Sequence, residues 1–248
     1  MTFMGVTSST PLLLFLVVGC LFFGSFWRAG LMAALGCLLF YLINRGLILG
    51  RLPLLGPHDT LLFFGMSATL MGFICSYYPV VRDKRWFTIV VGFFAGSVTV
   101  AAVMFKPLNM PLPQILDTLW FELHVVVAFF GYALFAIGAI ASVAYLRTGI
   151  RGYLDLLYKA ALVGWTFFSV SMISGGIWGY YAWGTYWLWT PKELWTSILW
   201  LFYALLLHIK LKGPRWDAVF AWLGIAGLFV MLFTYLGVSL LMKSSHSF

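Results

Sequence analysis

Apolar runs of about twenty residues, divided by short polar or basic breaks, recur along the whole chain. A helix rises ~1.5 Å per residue, so such runs can cross a hydrocarbon core ~30 Å thick. Eight spans are predicted, at residues 10–27, 29–48, 58–79, 86–105, 118–146, 153–178, 193–211 and 216–242. Only residues 27–30 separate the first two, with Arg28 marking the turn. Between the fourth and fifth, Pro107, Pro111 and Pro113 forbid a continuous helix. That stretch is expected to lead through a short interfacial helix at 114–122 into the fifth span. The pattern predicts an all-α fold, a polytopic transmembrane helical bundle of about eight spans forming a single membrane domain over residues 1–248.

Composition agrees. The 248 residues are 63% hydrophobic and only 9% charged, against about a quarter charged in soluble domains. No stretch is left over for a separate soluble domain. The net charge of +8 does not point to nucleic acid, because the basic residues are scattered in short loops. They report topology instead. One alternate set of loops holds Arg28, Arg82, Lys84, Arg85, Arg147, Arg151, Lys159, Lys210, Lys212 and Arg215, which is ten of the 15 Lys and Arg. Cytoplasmic loops carry that excess, so both termini and the 106–117 and 178–193 segments are expected outside. The N-terminus lacks a basic region and cleavage site, so the first run is expected to be a retained span. Cys20, Cys37 and Cys75 lie inside apolar runs as structural thiols, and none forms a Cys-x-x-Cys pair.

The candidate chemistry is concentrated in one segment. Trp178, Trp183, Trp187, Trp189, Trp195 and Trp200 are six of the twelve tryptophans. An interfacial aromatic belt would account for Trp and Tyr at helix ends. Here they crowd one loop, interleaved with Gly179 and Gly184, which permit tight turns and close approach. Such a segment suits either a belt or a platform for a planar apolar ligand. Of the four histidines, His124 opens the fifth span above a stripe of mostly small residues (Ala128, Gly131, Phe135, Gly138 and Ser142), and His246 follows the eighth. Two imidazoles on one side of the membrane could ligate a single iron from opposite faces. His208 lies roughly 22 Å along the seventh span from Glu193, and an ionisable residue at membrane depth is a functional candidate. His58, after Pro57, reads as a helix-start or surface residue.

Residues 183–195, WGTYWLWTPKELW, closely resemble the tryptophan-rich signature W-G-x-Y-W-x-W-D-P-K-E-x-W of haem-handling cytochrome c assembly proteins. The Pro-Lys-Glu ending is similar to the CcsA (ResC-like) branch; the CcmC and CcmF branches follow the Asp with different residues. The resemblance covers most of the chain. Arg45, Gly50, Pro53 and Asp59 are similar to that branch's Arg…Gly-x-x-Pro…Glu region, with Asp for Glu. Residues 119–125 around His124, His208 after Tyr203, and the ending 233–238 with His246 also follow the family's order.

This resemblance implies non-covalent haem b, with iron ligands His124 and His246 on the outer side and His208 nearer the inner side. Trp178, Trp183, Trp187, Trp189 and Trp195 would line the cofactor. The implied role is delivery of haem to apocytochrome c within a cytochrome c synthase, a haem lyase, in a bacterial cytoplasmic or a thylakoid membrane. The implied companion is a CcsB/ResB-like membrane protein supplying a second intramembrane histidine. Two departures stand out: Thr190 replaces the signature's Asp, and residues 243–245 lack the expected small apolar context before His246. They keep open a HemX-like haem-binding regulator or assembly factor without synthase activity; a separate alternative is a membrane subunit of a redox or transport assembly using the aromatic loop as a quinol or partner surface. Thr190 can still cap the helix that follows.

Overall fold

The structure, a computed structural model, describes residues 16–22 and 26–242. After helical residues 16–22, the main helices are α1 (Arg28–Leu49), α2 (Gly56–Cys75), α3 (Arg85–Val103), α4 (Leu119–Thr148), α5 (Gly152–Trp183), α6 (Pro191–Leu211) and α7 (Asp217–Leu232). Helix α7 continues through a π-helical turn, Phe233–Gly237, into Val238–Leu241. No strand occurs among the described residues. Seven helices are long and apolar enough to cross a membrane, the last running Pro214–Leu241. The protein is a polytopic helical membrane bundle. Seven of the eight predicted spans are among these helices; half of the first, 10–27, lies outside the described residues.

The helix boundaries follow local chemistry. Thr118 accepts a hydrogen bond from the Phe121 amide and caps α4. This cap divides the expected 114–122 helix: residues Gln114–Leu116 form one 3-10 turn, and α4 begins afresh at Leu119. Helix α5 ends at Trp183, five residues beyond the predicted span, with Gly184 in the left-handed conformation (φ 75°). At 32 residues and ~1.5 Å each it runs ~48 Å, well beyond the ~30 Å apolar layer.

The chain forms two compact units, Met1–Pro111 and Leu112–Phe248. In the first, α1 and α2 run antiparallel and are fastened at both ends. Arg28 donates to the Ser76 carbonyl (2.9 Å) and lies over the Tyr77 ring. At the opposite end Arg45 grips Asp59 through two bonds, Nε to Oδ1 at 2.5 Å and Nη2 to Oδ2 at 3.1 Å. Arg45 also donates to the Leu108 carbonyl and to Asn109 Oδ1, which ties the proline-containing segment after α3 to this pair. The Asp59 side chain is wholly buried. A buried carboxylate needs such pairing to remain charged.

In the second unit α4 packs along α5 and α7. Phe135 of α4 stacks on Tyr203 of α6, centroids 3.5 Å apart. One end of the unit carries ion pairs, Arg151 with Asp217 (2.9 Å) and Lys210 with Asp155 (3.8 Å). The other end gathers the start of α4, the end of α5, the start of α6 and the π-helical turn. The histidine and the tryptophan-rich segment meet there.

Candidate functional site

His124 is half-buried in the second turn of α4. Its Nδ1 lies 2.7 Å from the Ser171 carbonyl and 3.0 Å from Ser171 Oγ. A carbonyl can only accept, so Nδ1 carries the proton and donates. The Ser171 hydroxyl in turn donates to the His124 carbonyl at 2.9 Å. Nε2 is then the unprotonated nitrogen, and it meets no partner among the described residues. Gly175, one turn along α5, makes this possible: a Cβ there would lie 2.5 Å from Nδ1. Ser171 and Gly175 were not singled out in the sequence. Their one signal is spacing, since Ser171, Gly175 and Trp178 fall at four- and three-residue steps on one helical face.

The aromatic residues divide into a supporting set and an exposed set. Trp178 is buried, donates from its indole to the Ile115 carbonyl (2.7 Å), and packs against Phe121 and edge-on against Trp183. Trp195 meets Phe233 edge-on, centroids 4.5 Å apart. These rings do not share a plane; they brace helix ends. The loop after Gly184 folds back on α5, so that a Cβ at Gly179 would meet the Thr185 carbonyl at 3.3 Å. Gly179 therefore serves close approach, and Gly184 the turn. Trp187 is half-buried in that loop, whereas Trp189 is 70% exposed.

Thr190 and Glu193 form a complete capping box at the start of α6. Thr190 Oγ1 accepts from the Glu193 amide, and the Glu193 carboxylate accepts from the Thr190 amide. The same carboxylate oxygen also accepts from the Leu188 amide at 2.9 Å. Between those two amides Trp189 has φ 56°, the one non-glycine residue with positive φ among the described residues. A left-handed conformation costs a bulky residue about 1–3 kcal/mol and persists only where its surroundings enforce it. Next in sequence, Lys192 donates to the Tyr235 carbonyl (2.9 Å) and Ser239 Oγ (2.6 Å), tying α6 to the π-helical turn.

The other predicted ligands are placed differently. His208 is exposed on α6, its Nδ1 donating to the Ala204 carbonyl one turn back (2.7 Å). The geometry does not bring it to His124. His246 lies outside the described residues. His58 is not a surface residue: it is buried, with Nδ1 donating to the Ala102 carbonyl (3.0 Å) and Nε2 accepting from the Tyr41 hydroxyl (3.1 Å). Among the described residues no cluster of three His, Cys, Asp or Glu could hold a bare metal ion.

The donor chemistry at His124 fits haem iron. An imidazole whose Nδ1–H is held by a carbonyl is fixed in tautomer and orientation, with Nε2 offered to a metal. A single imidazole with its Nε2 uncommitted suits a metal that brings most of its ligands with it, as the iron of a macrocycle does.

Comparison with known proteins supplies the family. Residues 9–246 match the model described as cytochrome C assembly protein. The chain is similar to the cytochrome c biogenesis protein CcsA of Welwitschia mirabilis, 26% identical over 263 residues, covering 89% of this chain and 86% of that protein. It is 28% identical to CcsA of Prochlorococcus marinus subsp. pastoris over 251 residues, 84% of this chain and 78% of the relative. Protein NrfI of Wolinella succinogenes is 30% identical over 236 residues, 86% of this chain but 26% of NrfI. The chain belongs to the cytochrome c assembly protein family and is a CcsA-like integral membrane protein of cytochrome c biogenesis.

Proposed function

We propose that the chain carries haem as cargo for cytochrome c assembly, holding it non-covalently as haem b at the His124 end of the second unit. It acts as the haem-handling subunit of a cytochrome c synthase, with a CcsB/ResB-like membrane partner and an apocytochrome c as acceptor. One observation carries this reading: Ser171 commits His124 Nδ1 and leaves Nε2 for iron beside the tryptophan-rich segment. The cargo brings an iron that accepts two axial imidazoles. His124 supplies one and His246 the other. The tryptophan-rich segment faces the periplasm or lumen in this reading, supported by the uneven distribution of Lys and Arg between alternate loops. His208, exposed on α6, offers its Nε2 outward from the chain, where a histidine from the partner completes a second site nearer the inner side.

The test is a reduced-minus-oxidised absorption spectrum of the chain purified after haem-replete expression. A low-spin bis-histidine b-type spectrum is expected. His124→Ala or His246→Ala should each convert it, and the double variant should lose that haem. Unchanged spectrum and occupancy in the double variant would falsify the site. A HemX-like regulator would bind haem equally, yet yield no covalent cytochrome on co-expression with partner and apocytochrome. The intact capping box at Thr190 favours the synthase reading, since Thr performs the helix-start task open to the signature's Asp.

A further inference from the structure

We infer that Glu193 is a positioning residue whose carboxylate clamps the backbone on both sides of Trp189 and so holds that indole outward as a contact face for the haem ring. The inference rests on the haem-site reading above and deepens it. Three observations converge. First, Glu193 is buried, 8% exposed, although it carries a carboxylate. It meets no cation in an ion pair among the described residues; the groups it binds are backbone amides. Second, one oxygen, Oε2, accepts from both Leu188 N and Thr190 N, each at 2.9 Å. A capping box needs only the second of these bonds. The extra bond to Leu188 spans the residue between. Third, that residue is the one forced into positive φ, and its indole is 70% exposed while Trp178 beneath it in sequence is 3% exposed.

A strained backbone under a large exposed apolar ring stabilises nothing in the isolated chain. It is explained if the ring's direction matters to something that lands on it. A planar apolar macrocycle is the chemistry a displayed indole face suits, by stacking. The clamp works through acceptor geometry and not through charge. Glutamine keeps an oxygen at the same reach, so Glu193→Gln should preserve the display. Glu193→Asp, one methylene shorter, and Glu193→Ala should both lose it.

The experiment uses the full chain in detergent, labelled with 5-fluorotryptophan, and Trp189→Phe assigns the Trp189 fluorine resonance. Without ligand, Glu193→Ala and Glu193→Asp should move that resonance towards its position in unfolded chain, while Glu193→Gln leaves it in place. Circular dichroism confirms that the variants remain helical, and Thr190→Ala, which leaves both Glu193 bonds possible, controls for loss of the cap alone. Gallium protoporphyrin, a diamagnetic haem analogue, should then shift the Trp189 resonance in the parent chain and in Glu193→Gln, and bind at least ~10-fold more weakly to Glu193→Ala. The proposal is overturned if the Trp189 resonance is unmoved in Glu193→Ala, or if Glu193→Gln behaves like Glu193→Ala. It is also overturned if the porphyrin shifts other tryptophans but not Trp189. A porphyrin that shifts no tryptophan resonance overturns the haem-site reading itself, which separates the two failures.

Discussion

His58 and His124 occupy nearly matching sockets in the two units, and the difference between them lies in one nitrogen. Each sits near the start of a helix, α2 or α4, and each donates its Nδ1 proton to a carbonyl of a neighbouring helix, Ala102 of α3 or Ser171 of α5. In His58 the remaining Nε2 accepts from the Tyr41 hydroxyl inside a buried site. In His124 Nε2 has no partner among the described residues. The first imidazole is consumed by the fold, and the second is oriented by the fold and left available. A ligand histidine is thus recognised less by where it sits than by which of its nitrogens its neighbours leave unused.

The same contrast extends to the surrounding groups. Around His58 the polar chemistry closes on itself through Arg45, Asp59 and the Leu108 carbonyl. Asp59→Ala therefore tests whether that end is purely structural. It removes the counter-ion of a guanidinium that is 11% exposed and leaves it only the neutral acceptors Leu108 O and Asn109 Oδ1, and breaking a buried pair costs about 3–5 kcal/mol. A matching fall in the denaturation midpoint of the detergent-solubilised chain is expected, with haem stoichiometry per folded molecule unchanged. Loss of haem from the folded fraction would erase the distinction between the two histidine sites.

Gly175→Ala acts on the other side of the comparison. The new methyl occupies the place of the His124 ring, so the imidazole must rotate away from Ser171 and lose the bond that orients it. Outer-shell disruption of this kind typically costs 10–100-fold in metal affinity. We expect a fall of that size in haem affinity by Soret titration, with helicity preserved. Gly149→Ala, at a left-handed cap away from the histidine, provides a destabilised variant with normal haem affinity. Equal affinities in the two variants would show that the Ser171 contact does not orient a ligand.

Much of the fold was legible because apolar runs and helix-start residues act locally. Seven predicted spans correspond to helices, and Pro57 and Thr190 mark starts that the structure keeps. The candidate site was legible in part. Tryptophan density identified the segment, but not that Trp178 would be buried support while Trp189 stands exposed, since both are the same residue type in one motif. Ser171 and Gly175 escaped because they act on His124 from far along the chain, 47 residues away for Ser171 and further for Gly175, and a serine or glycine in an apolar span reads as ordinary helix packing. The end of α5 was misplaced because Tyr180, Tyr181 and Trp183 read as loop aromatics, yet they continue the helix until Gly184 breaks it. The expected helix at 114–122 assumed continuity where the Thr118 side chain imposes a start.

Thr190→Asp is the smallest perturbation, and it bears on the Glu193 carboxylate next to it. Asp caps slightly better than Thr in general, by a few tenths of a kcal/mol. Here the cap is already a two-way box, and the partner in that box is itself a buried carboxylate. A second carboxylate at position 190 would gain the Glu193 amide as a donor but would repel the Glu193 side chain, which also holds the Leu188 amide. The two effects oppose each other, so the net change in stability should be about 1 kcal/mol or less, the scale of a cap substitution. The informative readout is therefore covalent cytochrome yield with partner and apocytochrome, at equal amounts of folded protein. If Thr190 serves as a cap, the yield stays within about twofold. If the aspartate of the signature has a chemical task, Thr190→Asp raises the yield several-fold while the melting curve stays where it was, and the regulator reading gains what the synthase reading loses for the parent chain.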